Sequence, residues 1–275
     1  LFFSYNTAPL FGVEFNDSSV FKMMGHVLLN GGVPYVDYFD HKGPNLYLIN
    51  AIGECISPNW GLFPLQVLWL SVSLILWYKI CLLFVRFTYS FIIVLLTTIF
   101  FIYAYSYGNF LEEWSLLPCS ITIYLSLSFL VNHSLEKHSY WRSLVYGLCF
   151  GFVFFIRPND AVMICGGVMT GIFLYIVLKQ KKYASAFINA LMFFLGFVIM
   201  ADPWFAFFAY HHALKDFYFG LIGFNIQYGG GILNNLRYSA AVLEMIVNCI
   251  FLIILVIASK KQRLLWILIP VCTYI

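Results

Sequence analysis

Asp17 opens a polar stretch of this chain, and Asp40, His41 and Lys42 stand side by side near its end. Carboxylate, imidazole and ammonium groups are the side chains that move protons and hold anions. An acidic pair, Glu112 and Glu113, follows Gly108-Asn109, and Arg157 stands in Arg-Pro-Asn just ahead of Asp160. Each of these groups borders an apolar run, where a charge is costly unless hydrated or partnered. Arg157 therefore needs an anion, with Glu112, Glu113, Asp160 or a phosphate as candidates. Asp17 has two readings: the cap of a helix, or a base that deprotonates a hydroxyl. Lys42 beside Gly43 is either a ligand for an anion or a lysine snorkelling at an interface.

Other features are excluded by spacing. His41 has no second His at ligand distance in sequence, so a metal is not expected there. The cysteines at 55, 81, 119, 149, 165, 249 and 272 form no CxxC pair and mostly sit inside apolar runs, which reads as core packing. Gly229-Gly230-Gly231 is not followed by Lys-Ser/Thr, so it is a turn rather than a phosphate loop. The adjacent His211 and His212 read as a wet surface pair. Asn225 and Tyr228 are candidate contacts for a second substrate, and Glu244, inside an apolar run, is a weaker lead.

These groups are positioned by apolar helices. The chain is 62% hydrophobic and 10% charged, with a mean hydropathy of +0.87. Soluble domains carry about 25% charged residues, so lipid must be the solvent. The expected fold is all-α: a polytopic transmembrane helix bundle with interfacial amphipathic helices in its first external loop. Spans of the required ~20 residues are expected near 61–85, 88–106, 114–131, 142–157, 160–178, 185–206 and 239–259, with a partial span from Leu264. The chain begins at Leu1 and stops inside an apolar run at Ile275, so the single domain, 1–275, is read as truncated at both ends. The first external loop is 1–60. Within it, 17–30 reads as a short helix capped by Asn16 or Asp17, with Val20, Met24, Val27 and Leu28 on one face and Gly31-Gly32 at its end. A second short helix, 44–56, has Pro44 in its first turn. The 207–238 segment is expected to be the longest later external loop.

Orientation follows from Lys and Arg. With 1–60 outside, the inner ends hold Lys79, Arg86, Lys137, Arg142, Lys179, Lys181, Lys182, Lys260, Lys261 and Arg263, against Lys22, Lys42, Arg157, Lys215 and Arg237 outside. The acids split the other way, with Glu14, Asp17, Asp37, Asp40, Glu54, Glu112, Glu113, Asp160 and Asp216 at the outer side. Acids contribute little to topology, so function is the natural cause of their gathering. No basic stripe is interleaved with exposed aromatics, which excludes nucleic acid as a partner.

The segment DSSVFKMMGHVLLNGGVPYVDYFDHKGPNLY at 17–47 resembles the first external loop of bacterial membrane glycosyltransferases of the GT-C superfamily, relatives of protein O-mannosyltransferases and of the aminoarabinose transferase that acts on lipid A. GNFLEEWSLLP at 108–118, FIRPND at 155–160 and GFNIQY at 223–228 fall where that family would place them. The resemblance implies a polyprenyl-phosphate sugar donor, a lipid, glycan or protein acceptor, and an active site on the external face of the cytoplasmic membrane. It implies Asp17 as the general base and Lys42 as a ligand of the phosphate, with Asp40 and His41 orienting Lys42 or touching sugar. One of Glu112 and Glu113 would contact the donor or pair with Lys42 or Arg157, and the other would be solvated. Ser18 departs from relatives that carry a second acid there. No cofactor is expected; a divalent metal on Asp17 and a Glu, as in related oligosaccharyltransferases, is the lesser alternative.

Two other functions compete. A transporter or flippase of lipid-linked sugar should show ionisable groups near the bilayer midplane and repeated, broken helices, whereas here the acids gather at one interface. A non-catalytic scaffold leaves the Asp17–Lys42 grouping without a cause.

Overall fold

The computed structural model describes residues 6–8, 17–104, 108–227, 250 and 262–268. Among these the architecture is all-α, with one isolated bridge between Pro34 and Tyr38. The helices are α1 Asp17–Leu29, α2 Pro44–Ile56, α3 Leu62–Leu82, α4 Phe87–Ala104, α5 Leu111–Asn132 and α6 Tyr140–Phe154. The helices Pro158–Lys179 and Tyr183–Tyr210 follow, then a short helix Leu214–Tyr218 that runs into the π-helical turn Phe219–Gly223. The Pro158–Lys179 helix itself contains π-helical turns at Ala161–Gly166 and Tyr175–Lys179. Apart from Ile250, the sequence-expected span at 239–259, the leads at Asn16 and Glu244, and the continuation of the Leu264 run beyond residue 268 lie outside the described residues.

Among the described residues, four helices are long and apolar enough to cross a membrane: Leu62–Leu82, Leu111–Asn132, Pro158–Lys179 and Tyr183–Tyr210. Their outer faces leave Leu68, Ile75, Phe187 and Phe194 exposed. In water such a surface would aggregate; in hydrocarbon it is at home. The expected span at 142–157 is different. α6 has 15 residues, about 22 Å at helical rise, against a hydrocarbon thickness of about 30 Å. It stops at Phe154 because Phe155 and Ile156 give their carbonyls to another segment, and Pro158 has no amide proton to continue the ladder. Residues 207–227 are also not the long loop that their polarity suggests. Helix continues to Tyr210, turns through His212 at φ 55°, and restarts at Leu214.

α1 ends where Gly31 adopts φ 79° and the Gly32 N–H closes on the Val27 carbonyl at 2.9 Å, the hydrogen-bonded stop that a left-handed residue permits. Its buried face is Ser18, Phe21, Met24, Gly25 and Val27. Val20, expected on that face, is exposed. The reason is close contact with α2: a Cβ on Gly25 would lie 2.7 Å from the Ala51 nitrogen, and that approach fixes which side of α1 turns inward. α6 packs on Tyr183–Tyr210 in the same way, through Gly147 against the Phe193 carbonyl and Gly196 against the Leu144 carbonyl, small residues letting two backbones meet.

The largest core cluster lies under the 33–47 segment. Phe21, Met24, Tyr35, Leu46, Tyr47, Trp114, Phe155, Trp204, Phe208 and Phe217 are buried together. Phe208 and Phe217 stack at 4.3 Å, and Tyr35 leans on both. Cys119, Cys149 and Cys165 are free thiols in a separate apolar cluster.

Candidate functional site

The site is built on the 40–43 loop, which is tied down on every side. The Gly43 N–H donates to the Ile156 carbonyl and the Asn45 N–H to the Phe155 carbonyl, each at 2.9 Å. A Cβ on Gly43 would sit 2.1 Å from the Phe155 oxygen, so only glycine lets the loop meet that peptide. The Asn45 amide donates to the Phe152 carbonyl at 2.9 Å and accepts from the Trp204 indole at 2.8 Å. Below the loop, the Tyr35 hydroxyl donates to the Lys42 carbonyl at 2.6 Å. The Tyr47 hydroxyl lies 2.9 Å from the same carbonyl and 3.1 Å from Asp40 Oδ2. The Asn225 amide donates to the His41 carbonyl at 2.9 Å.

The side chains form a short chain of polar contacts. Asp40, 9% exposed, accepts the His41 backbone N–H at 2.7 Å. His41 Nδ1 faces Asp40 Oδ1 at 3.4 Å, and Nε2 is 2.8 Å from Lys42 Nζ. An ammonium can only donate, so Nε2 accepts and the ring proton sits on Nδ1, toward the carboxylate. Burial pushes the Asp40 carboxyl up, but the hydrogen bonds from the His41 side chain and backbone and from Tyr47 outweigh it, and its pKa falls below the ordinary value. Burial pushes Lys42 down. Asp40 opposes that shift, Arg157 reinforces it, and Asp17 and Glu112 oppose it, with a net lowering. Asp17, Asp40, Glu112 and Arg157 thus all act on one ammonium.

The start of α5 supplies the next wall. Gly108 and Asn109 both take positive φ, 69° and 59°, which turns Asn109 into the interior. Its amide donates to Ser18 Oγ and to Asn50 Oδ1 at 2.9 Å, and its oxygen accepts from the Trp114 indole at 2.9 Å. Ser18, where an acid was expected from relatives, is therefore the anchor that holds the first turn of α1, and with it Asp17, against α5. Glu113 belongs to the same network. It is 1% exposed, accepts the Asn109 N–H at 2.8 Å, and accepts from the Gln66 amide. Gln66 in turn accepts from Thr7.

Glu112 and Glu113 are thereby told apart. Glu112 accepts from Arg157 Nη1 at 2.7 Å, and Arg157 Nε lies 3.8 Å from Asp160. The Glu112 pairing leaves both side chains nearly half exposed, at 43% for Arg157 and 46% for Glu112. The expectation that the other member of the acidic pair is solvated does not hold, because adjacent positions on a helix point about 100° apart and the second one turns into the bundle.

Of the sequence-derived site residues, Asp40, His41 and Lys42 are in contact, Glu112 pairs with Arg157, and the charges of Asp17, Glu112 and Arg157 act on Lys42. Glu113 is sequestered in the Asn109 network, and Asn225 contributes through the His41 backbone. Tyr228 lies outside the described residues. Asp17 is exposed and is the first residue of α1 rather than a flanking cap. Sequence reading did not single out Tyr35, Tyr47, Asn45 or Asn109. The available signal was chemical: a tyrosine or asparagine in a segment that must be buried brings a polar group that needs a partner. Among the described residues no group of three or more His, Cys, Asp or Glu is placed to hold a metal ion. Comparisons with protein-family models, with curated proteins and with solved structures find no match for this chain.

Proposed function

We propose that the chain is a GT-C-type membrane glycosyltransferase that moves a sugar from a polyprenyl-phosphate donor to an acceptor hydroxyl at the external face of a bacterial cytoplasmic membrane. One observation carries the reading: the Lys42 carbonyl is fixed by the Tyr35 and Tyr47 hydroxyls, its ammonium contacts His41, which faces Asp40, and the charges of Asp17, Glu112 and Arg157 act on it. In this reaction the bond from the sugar's anomeric carbon to the phosphate oxygen breaks and a bond to the acceptor oxygen forms. Asp17, open to water, takes the acceptor proton. Lys42 and Arg157 neutralise the departing phosphate.

The acids around the cluster outnumber its cations, and that has to be reconciled with an anionic donor. An exposed ion pair such as Arg157–Glu112 contributes only about 0–1 kcal/mol. A phosphate can therefore displace Glu112 from the guanidinium at little cost, and Glu112 is then free to accept from a sugar hydroxyl. Lys42 already donates to His41, a neutral acceptor, so its charge remains available to a phosphate.

Asp17→Asn tests the base. Loss of transfer by about 100-fold or more, with donor still bound, is expected; normal transfer rejects the assignment. Lys42→Ala is expected to weaken binding of the donor lipid, and unchanged donor affinity removes its phosphate role. If instead Asp17→Asn blocks movement of the donor lipid across the bilayer and no transfer is ever detected, the transporter reading replaces this one.

A further inference from the structure

We infer that a cleft between α1, α2 and the 57–61 turn is a subsite for a neutral, hydroxyl-rich ligand: the saccharide part of the acceptor. Its naming as the acceptor subsite rests on the transferase reading; its ligand class rests on the cleft itself.

The cleft holds about 300 Å3 and is lined by Ser19, His26, Glu54, Ser57 and Asn59 among polar groups, with Met23 and Leu62 among apolar ones. That volume is at the small end of small-molecule sites. Hydroxyl, amide and carboxylate groups line it together, and Lys22 and Glu54 bring it charges of opposite sign. Glu54 Oε1 is 2.6 Å from His26 Nδ1, and Lys22 donates to the Asn6 carbonyl at 2.8 Å. An ion of either sign is attracted by one of Lys22 and Glu54 and repelled by the other. A ligand whose adjacent hydroxyls each donate and accept matches hydroxyls, amides and the second carboxylate oxygen of Glu54, and its carbon-bound hydrogens suit Met23 and Leu62.

The cleft wall is fixed backbone. Ser57 N–H donates to the Gly53 carbonyl and Gly61 N–H to the Ser57 carbonyl, each at 3.0 Å. A Cβ on Gly61 would lie 1.9 Å from the Gly53 oxygen, so the turn closes tightly on the end of α2. Such a wall needs no ordering when a ligand arrives.

The cleft is also joined to the catalytic grouping. Ser19, Met23 and His26 follow one face of α1, and Ser18 and Asp17 stand just ahead of them. Asn50 lines the cleft and bonds Asn109, which bonds Ser18. The helix turn that carries Asp17 is thus tied to the cleft by buried hydrogen bonds.

The test uses the full chain in detergent micelles and saturation-transfer NMR with methyl glycosides of glucose, mannose, galactose and N-acetylglucosamine. At least one should bind the parent and Asp17→Asn alike. Glu54→Gln and Ser57→Leu, both at solvent-accessible positions, should each weaken it by about tenfold or more, the loss of one charge-assisted hydrogen bond or of the space itself. Absence of binding by any glycoside, or binding indifferent to both substitutions, overturns the proposal. The two readings fail separately. Normal transfer by Asp17→Asn defeats the base and leaves the cleft, whereas glycoside binding unmoved by Glu54→Gln and Ser57→Leu defeats the cleft and leaves the base.

Discussion

The Tyr35 hydroxyl donates to the Lys42 carbonyl at 2.6 Å from a backbone held at φ 71°. A bulky residue in that left-handed region is strained, and it stays there because the ring is fixed between Tyr47, Phe208 and Phe217. The strain and the aromatic core together hold still the loop on which Lys42 is mounted. Tyr35→Phe keeps the ring and removes the donor, so it should cost about 1 kcal/mol of stability, read as a lower melting temperature. If Lys42 is the phosphate ligand, donor affinity should fall by more than that loss alone explains.

Gly43→Ala should be far more severe. The added carbon would meet backbone of Phe155 and Ile156, which cannot rotate away as a side chain can. Separating the two segments also breaks the Gly43–Ile156 and Asn45–Phe155 hydrogen bonds, for a total of about 3 kcal/mol or more. A melting temperature equal to the parent's would show that the segments are not in contact.

The acidic pair at 112 and 113 should separate cleanly. Glu112→Ala removes an exposed pair and should change stability by less than about 1 kcal/mol. Glu113→Ala leaves the buried Asn109 N–H and the Gln66 amide without their acceptor, at roughly 2–5 kcal/mol for the two. Thermal melting of both variants decides it; equal effects contradict the burial of Glu113.

Lys42 should set an alkaline limit on anion binding. Burial lowers its pKa from the ordinary 10.5, so on raising the pH the ammonium is lost earlier than an ordinary lysine would lose it. Affinity for inorganic phosphate should fall accordingly below 10.5. In Lys42→Arg, which keeps its charge, that alkaline limb should disappear. A parent profile that stays flat to 10.5 would contradict the role.

Far from this site, His138 makes a stability prediction. It is 1% exposed, its Nδ1 is 2.8 Å from Asn189 Oδ1, and burial drops its pKa from 6.5 to about 4. Between those values the unfolded chain binds a proton that the folded one refuses. Stability is therefore fully present above 6.5 and falls as the pH drops toward 4, by about 3 kcal/mol in all. His138→Gln should flatten the melting temperature across that window.

Helix positions were legible in the sequence because they depend on local runs. The expected 44–56 helix coincides with Pro44–Ile56, and 160–178 falls within Pro158–Lys179, since apolar length, Pro at a first turn and Gly after a last one act on their immediate neighbours. The candidate charges were legible too, because a charge beside an apolar run stands out. What the sequence could not express was which of them meet. Glu112 and Glu113 are chemically identical neighbours; only the packing of α5 against α3 and α6 sends one to Arg157 and the other to Gln66. α6 ends partly at Pro158, which the sequence shows, and partly because Phe155 and Ile156 are claimed by Gly43 and Asn45, more than a hundred positions away. The buried network through Ser18, Asn50 and Asn109 likewise joins groups that no periodicity connects. Hydrogen bonds and ion pairs act over a few ångströms in space, and distance along the chain does not report that separation.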